Sequence, residues 1–423
     1  MSSNILIGCV ADDFTGASDA ASFLINKGLR TILFNGIPEG DVPNCNAIVI
    51  ALKSRTQNTK DAVNDSMKAF KWLKDMGVKH LYFKYCSTFD STKEGNIGPV
   101  TDAVLENFEE KYTILCPALP VNKRTVKNGI LYVDGVPLSE THMKNHPLTP
   151  MWESEIAKLM EPQGKYKTIN LNEEMLKKSK SEILDIINDF GKDKEHFYVV
   201  PDYTTDEDGK KIADVFGDIG FLTGGSGILG PIAEKYKESI SDSDNKILDT
   251  STEGKGIVFA GSCSKATLGQ IEDFKAKGYK SYKIDPIKLL KGEETVDNLW
   301  NFIKENSDDE VLIYSSDTAS NVVEIQKSGK EEIAELLEGA TSELADRCVK
   351  FGYTRIIVAG GETSSAVVKK LGYNSFEIGE SIAPGVPVMA PLSDMRIRIV
   401  LKSGNFGQED FFDRALNATR KEK

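Results

Sequence analysis

Short apolar, β-branched runs alternate with helix-length amphipathic stretches almost from one end of the chain to the other. A parallel strand neighbour can be reached only through a connection long enough to hold a helix, so this alternation predicts stacked β-α units. The expected fold class is α/β, with parallel or mixed sheets. No short repeat accompanies the alternation, which excludes solenoids and propellers. In the first half, strands are predicted over 5–11, 31–34, 47–52, 81–86, 112–117 and 197–201. Helices are predicted over 17–27 and 60–76, stopped by Gly28 and Gly77, since a helix end favours a residue free to take positive φ.

The chain has 423 residues, and at about 100 to 200 residues per domain this predicts two or three domains. From 238 to 255 the sequence is polar and acidic and sustains neither period, so the boundary is placed there. The expected division is an N-terminal domain over 1–240, a linker over 241–255 and a C-terminal domain over 256–423, with a cleft between the domains. The alternation then restarts, with strands at 256–261, 311–315, 355–359 and 396–401 and helices at 266–277, 331–351 and 364–371.

Lys plus Arg number 52 and Asp plus Glu 64, a net charge of −12. Such a surface repels phosphate backbones, so nucleic acid is not expected as a partner. An anionic ligand must then be met by a local cluster of cations or backbone N–H groups. With 40% hydrophobic residues the chain is globular in composition, yet no apolar run approaches the roughly 18 residues of a membrane span. The first residues run into Asp12 and Asp13 without a basic stretch, so no signal peptide is expected and a cytoplasmic location is. The six cysteines are widely spaced and are expected to be buried free thiols. His142 and His146 stand four apart, but Pro147 argues against a metal-binding helix there.

The first predicted strand ends in Ala11-Asp12-Asp13-Phe14-Thr15-Gly16-Ala17-Ser18-Asp19. Ligands of open α/β sheets bind beyond the carboxyl ends of strands, so the paired carboxylates Asp12 and Asp13 stand where chemistry is expected. The plainer account is a helix N-cap, with the acids complementing the helix dipole. Lys53-Ser54-Arg55-Thr56 and Lys84-Tyr85-Cys86-Ser87-Thr88-Phe89-Asp90-Ser91-Thr92 place cations and hydroxyls at two further strand ends. Arg chelates a carboxylate while Lys and Ser or Thr give point donors, a set suited to a small polyhydroxy acid; solvated loops are the alternative. Gly95-Asn96-Ile97-Gly98-Pro99 and Pro117-Ala118-Leu119-Pro120-Val121-Asn122 are expected to be loops.

In the second half, Ala260-Gly261-Ser262-Cys263-Ser264-Lys265 and Ala359-Gly360-Gly361-Glu362-Thr363-Ser364-Ser365 each follow a strand and precede a helix. Lys402-Ser403-Gly404-Asn405-Phe406-Gly407 follows the last strand. Small residues there let backbone N–H groups approach a phosphate chain, though tight turns alone would use them too. Gly225-Ser226-Gly227-Ile228-Leu229-Gly230 matches G-x-G-x-x-G, but without the expected following strand and ribose-binding acid. It supports a rival reading, a nicotinamide-dependent oxidoreductase. The run from Gly261 to Thr267 lacks the second glycine of a P-loop.

Taken together, the 11–19 and 84–92 runs, Gly360-Gly361-Glu362-Thr363-Ser364 and Ser403-Gly404-Asn405-Phe406-Gly407 resemble the four-carbon acid sugar kinase family. Leu52-Lys53-Ser54-Arg55, Gly95-Asn96-Ile97-Gly98-Pro99 and Met143-Lys144-Asn145-His146-Pro147 are more similar to its 3-oxo-tetronate branch than to its D-threonate or D-erythronate kinases. The resemblance implies a carbohydrate-metabolising transferase with an N-terminal acid-sugar domain and a C-terminal ATP-binding domain. It implies phosphorylation of the terminal 4-hydroxyl of the acid sugar, using ATP and Mg²⁺. Asp12, with Asp13 second, would orient or deprotonate that hydroxyl. Asp12, Arg55, Lys84, Tyr85, Cys86 and Ser87 would bind the substrate. Ser262 or Ser264, Gly360, Gly361, Glu362, Thr363, Gly404, Asn405, Phe406 and Gly407 would bind ATP. It fixes neither the Mg²⁺ ligands nor whether the chain forms a homo-oligomer.

Overall fold

The computed structural model describes residues 5–145, 149–237, 247–327 and 329–421. His146, Pro147 and residues 238–246, which include 241–246 of the expected linker, lie outside the described residues. The chain divides into two compact units, Met1–Lys246 and Ile247–Lys423.

The first unit holds β1 (Ile7–Ala11), β2 (Thr31–Asn35), β3 (Ala47–Ala51), β4 (His80–Lys84) and β5 (Tyr112–Cys116). After β5 the chain makes a small antiparallel sheet, β6 (Arg124–Lys127), β7 (Ile130–Val133) and β8 (Val136–Pro137). It then returns through β9 (Lys167–Leu171), β10 (Phe197–Pro201) and β11 (Phe221–Gly224). Within this unit the large sheet runs β2-β3-β1-β4-β11-β5-β10-β9, with every pairing parallel. Strands covered on both faces must be apolar throughout, which is why β1 and β3 read as IGCVA and AIVIA and are wholly buried. From β1 the chain crosses toward β2 on one side, and from the adjacent β4 toward β5 on the other, so the carboxyl ends of β1 and β4 form a topological switch point, the place where open α/β sheets bind ligands.

The helix Phe14–Ile25 follows β1 directly and is capped by Asp13, whose carboxylate accepts from Gly16 N at 2.5 Å. Gly28 and Gly77 take φ of 88° and 75°, as the predicted helix stops require. The segment 95–99, expected as loop, instead starts a helix, Ile97–Asn107. Gly98 and Pro99 occupy its second and third positions, where backbone N–H groups have no intrahelical acceptor, so proline is tolerated.

The second unit contains β12 (Lys255–Ala260), β13 (Lys280–Lys283), β14 (Val311–Tyr314), β15 (Tyr353–Ala359), β16 (Ser375–Ala383), β17 (Val386–Pro391) and β18 (Arg398–Lys402). Its order is β13-β14-β12-β15-β18-β17-β16, parallel from β13 to β18 and antiparallel through the β16–β17 hairpin. That hairpin departs from the expected β-α alternation. Residues 247–254, expected within the linker, are instead tied into this unit by bridges from Leu248 to Gly379 and from Thr252 to Arg420. Helices Lys265–Ala276 and Gly361–Leu371 follow β12 and β15, placing the predicted glycine turns at the carboxyl ends of adjacent strands.

Candidate active site

In the first unit, the ends of β1, β3 and β4 bring together residues far apart in the chain. Arg55 Nε donates to Asp12 Oδ2 at 2.9 Å and Nη2 to Asp12 Oδ1 at 2.8 Å, a bidentate pair. Its Nη1 lies 2.5 Å from Asp13 Oδ2. Three of the five guanidinium N–H groups are thus spent on the two aspartates, leaving two for a ligand. Lys84 is buried, with Nζ 3.0 Å from the Tyr85 carbonyl and 3.6 Å from Asp19 Oδ2. Gly16 makes this packing possible, because a Cβ there would sit 2.5 Å from Asp13 Oδ1 and 3.2 Å from Lys84 Nζ.

Burial raises the Asp12 carboxyl above its ordinary value, against the pull of the Arg55 guanidinium. Asp19 is raised in the same way, opposed chiefly by Lys84. Burial works against the charge of Lys84, but Asp19, Asp12 and Asp13 outweigh it and hold the ammonium above its usual value. Three carboxylates therefore face two cations. A carboxyl raised by burial is, once ionised, a stronger proton acceptor than an ordinary aspartate, and Asp12 is such a group.

The segment after β4 is less open than its sequence suggests. Tyr85 is fully buried, its hydroxyl 3.1 Å from Thr223 Oγ1 and its ring edge-on to Phe89. Phe89 takes φ of 51°, a left-handed conformation disfavoured for an aromatic residue and held here by burial. Burial pushes the Cys86 thiol up to about 12, so it stays protonated, 3.0 Å from Thr88 Oγ1. Cys86 and Ser87 are the half-buried members of the 84–87 set. Asn96, part of the 95–99 motif but not among the expected site residues, donates to the carbonyls of Ser54 at 2.7 Å and Gln57 at 2.8 Å and so braces the loop carrying Arg55.

In the second unit the three glycine turns meet. Gly360 has φ of 127°, and a Cβ on it would lie 3.1 Å from Thr363 Oγ1 and 3.2 Å from Ser262 N. A Cβ on Gly261 would run into Thr363 Oγ1, and one on Gly404 into Ser262 Oγ. Ser264 caps the helix Lys265–Ala276 and donates to the Gly404 carbonyl at 2.5 Å, so its hydroxyl is spent. Ser262 Oγ accepts from Ser264 N at 3.3 Å and keeps its own hydrogen, which leaves Ser262 as the available donor of the two. Gly361, Glu362 and Asn405 are exposed, while Thr363 is buried and Phe406 and Gly407 are half-buried. Gln270 Nε2 reaches the carbonyls of Phe406, Gly407 and Gln408 at 3.0, 3.2 and 3.0 Å and fixes the far side of the last loop.

Residues 7–232 match the sugar-binding N-terminal domain family and residues 257–412 the nucleotide-binding C-terminal domain family. A Haemophilus influenzae relative, 40% identical over 97% of this chain and 99% of its own, is named 3-oxo-tetronate kinase. So is one from Burkholderia multivorans, 39% identical over 98% and 97%. The chain belongs to the four-carbon acid sugar kinase family, in its 3-oxo-tetronate kinase branch. A solved Haemophilus influenzae structure, 39% identical, superposes with a TM-score of 0.81 over 97% of this chain and 99% of its own.

In this acid sugar kinase the G-x-G-x-x-G match is a packing device. It lies between a strand, β11, and a helix, Leu229–Tyr236. All six of its residues are buried, however, and a Cβ on Gly225 or Gly227 would strike the carbonyls of Pro117 and Ala118. The glycines admit a neighbouring backbone where a pyrophosphate would have to lie. The cysteines are all free, as expected, but Cys263 is exposed and Cys86 half-buried, because both stand on loops beyond strand ends. No group of three or more metal-ligating His, Cys, Asp or Glu side chains occurs among the described residues. Nor is any helix among them long and apolar enough to cross a membrane.

Proposed function

We propose that this kinase transfers the γ-phosphoryl group of ATP to the terminal 4-hydroxyl of 3-oxo-tetronate, giving 3-oxo-tetronate 4-phosphate. The observation that carries the reading is the Asp12–Arg55–Asp13 cluster at the end of β1, with its excess carboxylate, in a chain whose relatives carry that activity in their names. Phosphoryl transfer asks little covalent chemistry of a protein: it needs an aligned nucleophile, a carboxylate for its proton and donors for the phosphate oxygens. Asp12 takes the hydroxyl proton, and Arg55 orients Asp12 while offering its two remaining N–H groups to the substrate. Ser87 and the half-buried backbone around Cys86 supply further polar contacts. Lys84 and Tyr85 serve from beneath, through charge and packing, since neither side chain reaches the surface.

On the second unit, backbone N–H groups of the 261, 360 and 404 turns and the Ser262 hydroxyl fit a nucleotide's phosphates. Mg²⁺, when bound, would offset phosphate charge, held by ATP oxygens and water. Coupled ADP release with 3-oxo-tetronate, D-threonate and D-erythronate tests the reading. The highest kcat/KM is expected for 3-oxo-tetronate; a preference for threonate or erythronate would move the chain to another branch.

The raised Asp12 carboxyl must be ionised to act as a base, so activity is lost as pH falls through that raised value. The acid limb of kcat/KM for the acceptor is therefore expected above the ordinary aspartate value of about 3.9; a limb at or below it would remove Asp12 as the base. Gly360 stands at the nucleotide turns, with φ in the left-handed half of the map. Gly360→Ala forces a side chain into φ of 127°, at a cost of about 1–3 kcal/mol. The KM for ATP should rise about 5- to 100-fold with the acceptor KM little changed, and a selective rise in the acceptor KM would contradict the assignment.

A further inference from the structure

Lys402, the last residue of β18, is fully buried, yet among the described residues none of its contacts is with a carboxylate. Its Nζ lies 2.9 Å from Thr267 Oγ1, 3.0 Å from the Gly404 carbonyl and 5.9 Å from the centre of the Phe411 ring. The charged residues of the elements around it are engaged elsewhere. On helix Lys265–Ala276, Glu272 pairs with Lys275 and Asp273 with Lys277. At the start of helix Phe411–Thr419, Asp413 faces Lys277 and Tyr279, and Asp410 faces Arg414. On helix Gly361–Leu371, Lys370 pairs with Glu343. On β15, Arg355 pairs with Glu310, and on β18, Arg398 is bonded to backbone carbonyls. Lys265, Glu362, Lys369 and Glu409 make no ion pair with Lys402. A buried ammonium without a counter-ion is costly, and a lysine has little reason to stand there unless a negative charge arrives.

The Gly404 carbonyl is also over-supplied. Ser264 Oγ, Thr267 Oγ1 and Lys402 Nζ all approach it, at 2.5, 2.9 and 3.0 Å, although a carbonyl oxygen has two lone pairs. A neutral amine relieves this by accepting the Thr267 hydroxyl hydrogen. An ammonium donates to both Thr267 and Gly404, tying the 404 loop to the start of the helix after β12. We propose that Lys402 is a positioning residue that takes up a proton when nucleotide binds, setting the 404 loop for the phosphates. The proposal rests on the reading that the three glycine turns hold the nucleotide. Burial alone brings the amine down to about 7, so near neutral pH it is poised between its two forms. A polyphosphate anion at the loop favours the charged form, and by linkage binding weakens as pH rises.

Titration calorimetry of ADP in saturating Mg²⁺, at about pH 7.5 and in buffers of different ionisation enthalpy, counts the protons exchanged. Wild type is expected to take up a substantial fraction of one proton per nucleotide, and its Kd to rise about tenfold between about pH 6.5 and 8.5. Lys402→Met should take up none and lose the pH dependence, binding at all pH values like wild type at high pH. Lys402→Arg keeps the charge and should bind without proton uptake, which preserves the test should the methionine variant not fold. Zero uptake by wild type, or undiminished uptake by a folded Lys402→Met or Lys402→Arg variant, overturns the proposal. Gly404→Val separates the two readings: unchanged ADP affinity in that variant overturns the assignment of the loops to nucleotide, and with it the proposal.

Discussion

Asp12→Asn should lower kcat by about 10²–10⁴-fold, the contribution of a positioned general base, with ATP affinity nearly unchanged. The substitution keeps the size of the side chain and one acceptor oxygen for Arg55, which retains Asp13 as a partner at 2.5 Å. What it removes is the ability to accept the hydroxyl proton. The check is a steady-state comparison of kcat with the dissociation constant of ATP, alongside thermal unfolding to confirm the fold. Near-normal turnover would take Asp12 out of the chemistry and leave it as half of an ion pair.

Arg55→Ala should have the next largest effect and should act on the acceptor. One side chain holds Asp12 with two bonds and Asp13 with a third. Its loss sets two carboxylates against each other and takes away the remaining donors, with each charge-assisted bond worth about 1.5–3 kcal/mol. Acceptor kcat/KM should fall at least about 10- to 150-fold, with the KM for ATP little altered. Arg55→Lys should recover little, because an ammonium cannot chelate Asp12 while bonding Asp13. Stability will fall as well, by about 3–5 kcal/mol if the pair behaves as a buried one, so the assay belongs at low temperature on protein verified as folded. Equal losses for acceptor and ATP would place Arg55 outside the acceptor site.

Local pattern carries far in this chain where the physics is local. Phe197–Pro201 is an unbroken apolar run between polar stretches, and β10 occupies those residues without a shift. The glycine stops of the first two long helices follow from backbone conformation alone. The β16–β17 hairpin escapes because its strands join through a tight turn at Gly385, φ 82°, with no helix to mark them. The helix from Ile97 escapes because glycine and proline punctuate loops and first turns alike.

The candidate site was legible as residue types at strand ends, and its wiring was not. Arg55 looks like a free cation in the sequence, but its bidentate partner Asp12 stands 43 positions away. Asn96 lies 42 residues from the Ser54 carbonyl it holds, and Lys402 lies 135 from Thr267. One usable signal was present: Thr267 and Gln270 are polar residues three apart, in register with Ile271 and Phe274 on the buried face of their helix. Polar side chains on such a face need partners, and here both find the 404–408 loop.

The most direct test is the position of the phosphate in the product formed from 3-oxo-tetronate and Mg·ATP. One ADP per phosphorylated acid, with the ³¹P resonance split by the two protons on the terminal carbon, is the predicted result. Phosphate on a secondary carbon or the carboxylate, or ATP consumed only to inorganic phosphate, would contradict the account.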